Sequence, residues 1–153
     1  MKNRDEAIRQ LALQMFEMTK NMWVKSQREK FKGGYDLSES EFLALDALED
    51  VASLSVGELR RCVGVLPAQM SRVLKALEQR YDEKLVLCTI NPKDKRKIDV
   101  AIAPRGRRAV ASYRRAKIMA GTGALRSLSA KDLAFFSRML NRIAAAADKG
   151  QPA

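Results

Sequence analysis

The sequence predicts a mainly α-helical fold with one small β-hairpin, and three observations lead to this prediction. Apolar residues recur at alternating spacings of three and four near both ends of the chain, which is typical of amphipathic helices. Two Ser-x-x-Glu motifs in the middle are typical of helix starts. Further along, two short apolar segments flank a turn that contains Asn and Pro. The length of 153 residues favours a single domain over 1–153.

The first predicted helix runs from about Asp5 to Phe31 and is followed by Gly33 and Gly34, which are typical of a helix end. Its apolar stripe, with spacings of three, four, three and four, consists of Ile8, Leu11, Met15, Met18 and Met22. Such a stripe needs an apolar surface to cover it, because apolar area is driven out of water.

Three shorter helices are predicted next. Ser38–Glu41 and Ser55–Glu58 each form a capping box, and the helix that follows the second box ends at Gly64. Pro67 stands at the first position of the third helix, which reaches about Gln79. The apolar face of this third helix consists of Met70, Val73, Leu74 and Leu77.

The pattern then changes to that of strands. Leu85–Ile90 and Ile98–Ala103 are rich in β-branched and apolar residues, and the turn at 91–97 joins them into a hairpin. A further helix is predicted from Pro104 to about Leu125. The segment Ser129–Asp132 caps a last helix. The stripe of that helix, again at spacings of three and four, consists of Leu133, Phe136, Leu140, Ile143 and Ala147.

A short helix, a turn with glycine, a second helix and a hairpin follow one another in the order of a winged helix-turn-helix. We predict this core at 37–108, with the helix 67–79 as the recognition helix in the major groove of DNA. Its outward residues are small or carry hydrogen-bond donors: Ala68, Gln69, Ser71, Arg72, Lys75 and Gln79. Gln69 suits an adenine edge, and Arg72 suits a guanine edge or a phosphate. The same residues fit equally well the solvated side of an ordinary amphipathic helix.

The hairpin favours the DNA-binding interpretation. The predicted wing, 85–103, has at its tip one acidic residue, Asp94, among four basic ones: Lys93, Lys95, Arg96 and Lys97. This tip suits contacts with phosphates or the minor groove, whereas a solvated turn more often mixes its charges. Basic residues continue without an acidic one among them: Arg105, Arg107, Arg108, Arg114, Arg115 and Lys117. The first three are placed to flank DNA, and the later ones fit a cover for a helix surface equally well.

The composition narrows the function classes. The chain has 29 Lys and Arg against 18 Asp and Glu, and its formal net charge of +11 favours an anionic partner. The absence of histidine excludes Ser-His and Cys-His catalysis and removes the commonest zinc ligand. Cys62 and Cys88 are too few and too far apart for a disulfide framework. We expect no catalytic residues, no cofactor and no metal. Without a signal peptide or a run of about 18 apolar residues, we expect a cytoplasmic location.

Segments of the core carry a resemblance to the MarR family of transcriptional regulators. They are Leu37–Phe42, Ser55–Leu59 with Val63–Val65, Met70–Glu78, Asn91–Arg96 and Ile102–Gly106. The similarity covers about Leu37 to Arg108, and the order and spacing of the motifs give it its specificity. It implies a homodimeric, DNA-binding regulator of transcription that acts as a repressor. It also places Asp94 and Arg96 as the wing aspartate and the DNA-contacting arginine, with the aspartate orienting the arginine through a charge-assisted hydrogen bond.

Three residues or segments depart from the family's pattern. Leu66 stands where the family usually has a Ser or Thr that caps the recognition helix, which predicts a missing cap. The segment Tyr81–Lys84 replaces the usual Gly before the first wing strand and lengthens that connection. Cys88 stands where an Arg is common, which removes one predicted phosphate contact.

Dimerisation is predicted for the helices outside the core, at 5–31 and 109–148. A small winged helix core covers only part of their apolar stripes, and the remainder needs a partner. The predicted interface consists of Ile8, Leu11, Met15, Leu133, Phe136, Leu140 and Ile143. A two-fold dimer would read a pseudo-palindromic operator with half-sites about one helical turn apart.

The residues leave a ligand pocket and other functions open. The resemblance implies response to a small aromatic ligand or to an oxidant. A pocket would be lined by Met18, Met22, Trp23 and Phe42, although the same residues fit a plain core. Cys62 follows two arginines that favour its thiolate, although free cysteines are usually inert. The alternatives are an architectural DNA-binding protein without a sensor and a winged helix that binds another protein.

Overall fold

The computed structural model describes residues 2–30 and 35–148, and these residues form six helices and three strands. In chain order they are α1 (Lys2–Lys30), α2 (Glu39–Ala47), β1 (Leu54–Ser55), α3 (Val56–Val63), α4 (Pro67–Gln79), β2 (Val86–Ile90), β3 (Ile98–Ile102), α5 (Pro104–Leu125) and α6 (Ala130–Asp148). The predicted fold class is confirmed. The predicted helix end at Phe31, Gly33 and Gly34 lies outside the described residues. No helix in the described ranges has both the length and the apolar character that crossing a membrane requires.

The chain divides into two compact units. One unit, Val24–Lys117, contains α2 to α4, the three strands and parts of α1 and α5. The other contains α1 up to Trp23, α5 from Ile118 onward, and α6. We call them the core unit and the terminal unit.

The sheet of the core unit is antiparallel, with the strand order β1-β3-β2. Val86 pairs with Ile102 and Cys88 with Val100, so the predicted hairpin is confirmed with strands one residue shorter than expected. The two-residue strand β1 was not predicted. It pairs Leu54 with Val100 and Ser55 with Asp99, and it thereby holds the start of α3 against the first half of β3.

A single apolar cluster fills the core unit beneath α4. The four predicted inward residues of α4 are at most 9% exposed: Met70, Val73, Leu74 and Leu77. They pack in one cluster with residues from α2, α3, the sheet and α5, among them Leu45, Leu59, Val100 and Val110. This packing fixes which face of α4 is left toward solvent.

Local signals define the ends of the short helices. The hydroxyl oxygens of Ser38 and Ser55 accept from the amides of Glu41 and Glu58, the third residues of α2 and α3. The two glutamate carboxylates accept in turn from the serine amides, as the capping boxes predicted. Gly64 ends α3 with a φ of 72°, a left-handed conformation that favours glycine.

Close packing of backbone on backbone joins the start of α5 to the first wing strand. A Cβ at Gly106 would lie 2.2 Å from the Leu85 carbonyl oxygen, which no side chain could occupy without moving the backbone. The Ala103 amide donates to the same carbonyl at 3.0 Å. The glycine is therefore required by the approach of α5 to the hairpin.

The terminal unit is described by itself. Within it, Gly121 of α5 lies against α1, since a Cβ at this glycine would come within 2.7 Å of the Met22 methyl carbon. The α6 start is capped as predicted: the Asp132 amide donates to the Ser129 hydroxyl oxygen at 3.2 Å. Most apolar residues of the predicted dimer stripe are nevertheless 38–59% exposed: Ile8, Leu11, Met15, Leu133, Leu140 and Ile143. Phe136 is half-buried.

Candidate nucleic-acid interface

The outer face of α4 presents a narrow stripe of exposed residues. Ala68, Arg72, Lys75 and Gln79 follow one another at spacings of four, three and four, so they lie on one line along the helix. This line is opposite the buried face and defines the part of α4 that can approach another surface. Arg72 and Lys75 supply its positive charge.

Two of the predicted contact residues flank this stripe and have partners within the chain. The Gln69 amide nitrogen donates to the Ser40 hydroxyl oxygen at 3.3 Å. The Ser71 hydroxyl donates to the Pro67 carbonyl oxygen at 3.2 Å, four residues back in the same helix. Both side chains are exposed, so a base edge would have to compete with these weak internal bonds.

The N-terminus of α4 lacks a side-chain cap, as the leucine at the capping position predicted. Leu66 occupies the capping position in an extended conformation and provides no side-chain hydrogen bond, while Pro67 fills the first helical position. The first turn contains no acidic residue. An uncapped, apolar helix start therefore lies at one end of the exposed stripe.

Asn91 organises the wing tip, a role that the sequence analysis missed. Its side-chain oxygen accepts from the amides of Lys93 and Asp94, each at 2.9 Å. Its side-chain nitrogen donates to Asp99 at 2.7 Å, across the hairpin. The backbone amide of Asn91 also donates to the Lys97 carbonyl at 2.9 Å. The Asn-Pro pair in the turn was the available signal, because an asparagine side chain commonly closes such a turn.

The predicted bond between the wing aspartate and arginine is present. The Arg96 side-chain Nε and backbone amide both donate to one Asp94 carboxylate oxygen at 3.1 Å. The Arg96 side chain is otherwise 91% exposed. The two bonds from Arg96, followed by the charge of Lys97, lower the pKa of Asp94 below its usual value. Asp94 is therefore ionised at neutral pH and holds the base of the arginine while the guanidinium stays free to reach outward.

A cleft of about 410 Å³ lies between the start of α3 and the part of the wing where the tip leads into β3. Its cationic residues are Arg61, Arg96 and Lys97, and its apolar residues include Val56 and Ile98. Glu58 also lines the cleft, but its carboxylate is bonded to the Ser55 hydroxyl and amide at 2.6 and 2.8 Å. The bonds from Ser55 lower the pKa of Glu58, and Arg61 and Lys97 act in the same direction. The cleft adds Arg61 to the candidate interface, which sequence reasoning had not selected.

An ion pair joins the end of α4 to the start of α2. The Arg80 guanidinium contacts the Glu41 carboxylate, whose side chain is 6% exposed, and the same oxygen accepts from the Ser38 amide at 2.7 Å. Arg80 also lies over the Tyr81 ring, 5.4 Å from its centroid. The orientation of α4 is therefore fixed at its C-terminal end by a buried carboxylate.

The long connection before the wing is anchored at several points. Glu83 lies 3.5 Å from both Arg105 and Arg108 of α5, and the Tyr81 hydroxyl oxygen accepts from the Asp36 amide at 3.1 Å. The Leu85 amide donates to the Leu77 carbonyl at 2.8 Å. These contacts attach the connection to the core unit on both sides.

The basic run of α5 has partners within the core unit. Arg107 donates to the Glu49 carbonyl oxygen at 2.8 Å, and Arg114 pairs with the carboxylates of Asp46 and Glu49. Together with the Glu83 contacts, these bonds engage three of the predicted flanking residues and Arg114. Arg114, one of the later residues of the run, thus pairs with α2 and the segment after it, in agreement with the alternative that the later residues cover a helix surface. The three residues predicted to flank DNA each have a partner within the chain, and that prediction stays open.

The two cysteines differ in environment. Cys62 is exposed on α3. Cys88 is half-buried in β2, and burial, reinforced by the neighbouring Glu78, raises its pKa to about 11. The Cys88 thiol is therefore protonated at neutral pH, which makes it a poor nucleophile.

The residues of the predicted ligand pocket belong to different units. Phe42 stacks on Tyr113 in the core unit, with ring centroids 4.2 Å apart and planes at 12°. In the terminal unit, Met22 is half-buried, and Met18 and Trp23 are close to half exposed. The stacking of Phe42 agrees with its alternative assignment as a core residue. Within 2–30 and 35–148 there is no cluster of three residues suited to hold a metal ion.

The comparisons with known proteins relate this architecture to solved structures. No family model and no curated protein matches the chain. YusO from Bacillus subtilis is 20% identical with a TM-score of 0.75, over 93% of this chain and 97% of that one. A MarR family protein from Bacillus stearothermophilus is 16% identical with a TM-score of 0.78, over 94% and 97%. The PcaV transcriptional regulator from Streptomyces coelicolor is 20% identical with a TM-score of 0.62, over 92% and 96%. The chain therefore has the fold of MarR-family structures, as the resemblance implied.

Proposed function

We propose that this chain is a sequence-specific, double-stranded DNA-binding repressor of transcription. The observation that carries the proposal is the wing tip, where Lys93, Lys95, Arg96 and Lys97 are all exposed and the carboxylate among them, Asp94, is engaged by Arg96. The basic side chains of the wing contact phosphates and the minor groove. Helix α4 of the same unit inserts its exposed stripe into the major groove.

The cleft beside the wing tip contributes a further contact with the DNA backbone. A phosphate group entering it meets Arg61, Arg96 and Lys97, while Ile98 and Val56 provide apolar contact for the sugar. Gly57, also in the lining, leaves open space where a side chain would project, so the backbone of α3 can approach the phosphate closely. The contact positions the protein without reading sequence.

The active species is a homodimer. Its interface covers the exposed apolar stripes of α1 and α6, which a soluble protein does not usually leave open over such a length. Two copies related by a two-fold axis present two recognition helices to a pseudo-palindromic operator.

Regulation by a small aromatic ligand is the finer part of the proposal. PcaV, one of the proteins with a similar fold, has been crystallised in complex with its natural ligand. In this chain, Met18, Met22 and Trp23 provide apolar, polarisable contacts on α1. A ligand that binds there releases DNA if its affinity differs between the free and the DNA-bound conformation.

Selection of bound duplexes from a random pool tests the function, followed by titration of the selected duplex at several salt concentrations. The expected result is a two-fold-symmetric consensus. Arg96→Ala weakens binding to selected and scrambled duplexes alike. It also reduces the slope of the logarithm of affinity against the logarithm of salt concentration by about one, as the loss of one phosphate contact requires. Arg126→Ala, which removes an exposed arginine of the terminal unit, is the matched control and changes neither.

Other outcomes favour the alternatives. A preference of less than about tenfold for the selected duplex over random DNA indicates an architectural protein. Complete absence of salt-dependent duplex binding indicates a protein-interaction module and removes the DNA-binding proposal.

A further inference from the structure

Leu66 is the most exposed large apolar residue in the described part of the chain, with 73% of its surface accessible. It occupies the capping position of α4, where its side chain forms no hydrogen bond. This placement is unfavourable for the helix, because a serine, threonine or asparagine would satisfy a backbone amide there. Neither the core nor the helix end accounts for an apolar side chain at this point.

The surroundings of Leu66 are those of a surface that approaches DNA bases. Residues at the N-terminus of a recognition helix are the ones that reach base edges. The two residues that follow, Pro67 and Ala68, are also exposed and apolar, and Ala68 belongs to the outer stripe that continues to Arg72. Acidic residues, which would repel phosphates, are absent from this first turn. The start of the stripe is therefore apolar, and its continuation is cationic.

Among the groups that base edges display in the major groove, the thymine 5-methyl group is the apolar one that a leucine side chain can contact. Phosphates and the other base edges offer hydrogen-bond acceptors and donors, whereas thymine carries a 5-methyl group in that groove. Leu66 has no hydroxyl with which to contact a phosphate. The chemistry of the position thus matches a thymine methyl.

We propose that Leu66, assisted by Ala68, contacts the thymine 5-methyl group at one position of each operator half-site and thereby specifies thymine there. The inference rests on the proposed function and deepens it, since it names a base and the residue that reads it. It also gives a reason for an apolar residue at an uncapped helix start.

Deoxyuridine substitution tests this contact, because it removes the methyl group and leaves base pairing unchanged. Each thymine of the selected operator is replaced in both half-sites, and affinity is measured for the wild type and for Leu66→Ser. At one position the wild type should lose about fourfold per half-site, the equivalent of about 0.8 kcal/mol for one buried methyl-sized group. Leu66→Ser should show no loss at that position, and its serine provides a cap that keeps α4 folded.

The matched control is Leu43→Ala, which removes an exposed leucine from α2. Leu43 lies outside the helix and the wing that we propose contact DNA, so this variant should keep the full loss on deoxyuridine. A wild type that is indifferent to every deoxyuridine, a selected operator without thymine, or an unchanged loss in Leu66→Ser would each overturn the inference while leaving DNA binding intact. Absence of any duplex binding would instead overturn the proposed function and this inference with it.

Discussion

Helices α4 and α6 have apolar stripes of the same periodicity but of opposite exposure. The inward residues of α4 are at most 9% exposed, whereas Leu140 and Ile143 of α6 are 46% and 49% exposed. Periodicity therefore identifies the face that needs cover but does not say what covers it. In the core unit the cover comes from the same chain. For the terminal unit we propose that it comes from a second copy.

The largest effect is expected from charges placed on the α6 stripe. In a dimer, Leu140→Asp combined with Ile143→Asp would bury two unpaired carboxylates, which costs several kcal/mol for each and abolishes association. If these residues remained exposed in the native state, the same change would have little effect. Sedimentation of the variant and the wild type at micromolar concentration separates the two cases, and a stable wild-type monomer would remove the dimer proposal.

The second-largest effect is expected from the removal of a buried leucine side chain from α4, compared with an exposed one at the start of the same helix. Leu77→Ala removes a fully buried side chain and should lower the free energy of unfolding by about 2–5 kcal/mol. Leu66→Ala, the same substitution at the exposed start of the same helix, should change it by less than about 0.5 kcal/mol. Urea denaturation followed by circular dichroism measures both. Equal losses would mean that α4 is not covered as the structure shows.

A smaller gain is expected from restoring the missing cap. Leu66→Ser should stabilise the protein by about 1 kcal/mol, because a hydroxyl oxygen becomes available to the orphan amides of the first turn of α4. The midpoint of thermal unfolding should rise by a few degrees relative to wild type and to Leu66→Ala. A lower midpoint would indicate that Leu66 has a packing role in the free protein.

The reaction rates of the two cysteines should differ because one side chain is exposed and the other is half-buried. With the pKa of Cys88 raised from 9.0 to about 11, its thiolate fraction at pH 8 is about a hundredfold smaller than that of an ordinary thiol. Iodoacetamide should therefore modify the exposed Cys62 first, as peptide mass spectrometry can follow. Modification of Cys88 should accelerate as the pH rises toward its pKa. Equal rates at pH 8 would contradict the half-buried environment of β2.

Much of the fold could be predicted because its signals are local. The capping boxes at Ser38 and Ser55, Pro67 at a helix start, and the alternating strands each act over a few residues, and all appear at the expected positions. The strand β1 escaped prediction because two residues carry no periodicity. Its pairing with β3 depends on residues more than forty positions away.

The candidate interface was predictable in its charges but not in its internal bonds. The wing cations and the bond between Asp94 and Arg96 follow from a short motif. The bond from Gln69 to Ser40 spans 29 residues, and that from Arg114 to Asp46 spans 68. Such partners are brought together by the packing of α2 against α4 and α5, so local pattern cannot reveal which polar residues are already engaged.

The bonds that Asn91 makes determine when the wing loses its conformational entropy. Three main-chain and side-chain partners hold the loop in one arrangement in the absence of DNA. The ordering of the loop therefore takes place during folding and need not be repeated when the proposed complex with an operator forms. A protein with such a loop loses less conformational entropy on binding than a protein whose wing becomes ordered only on DNA. In the proposed complex, Asn91 therefore contributes to the affinity for the operator through the ordering of the loop.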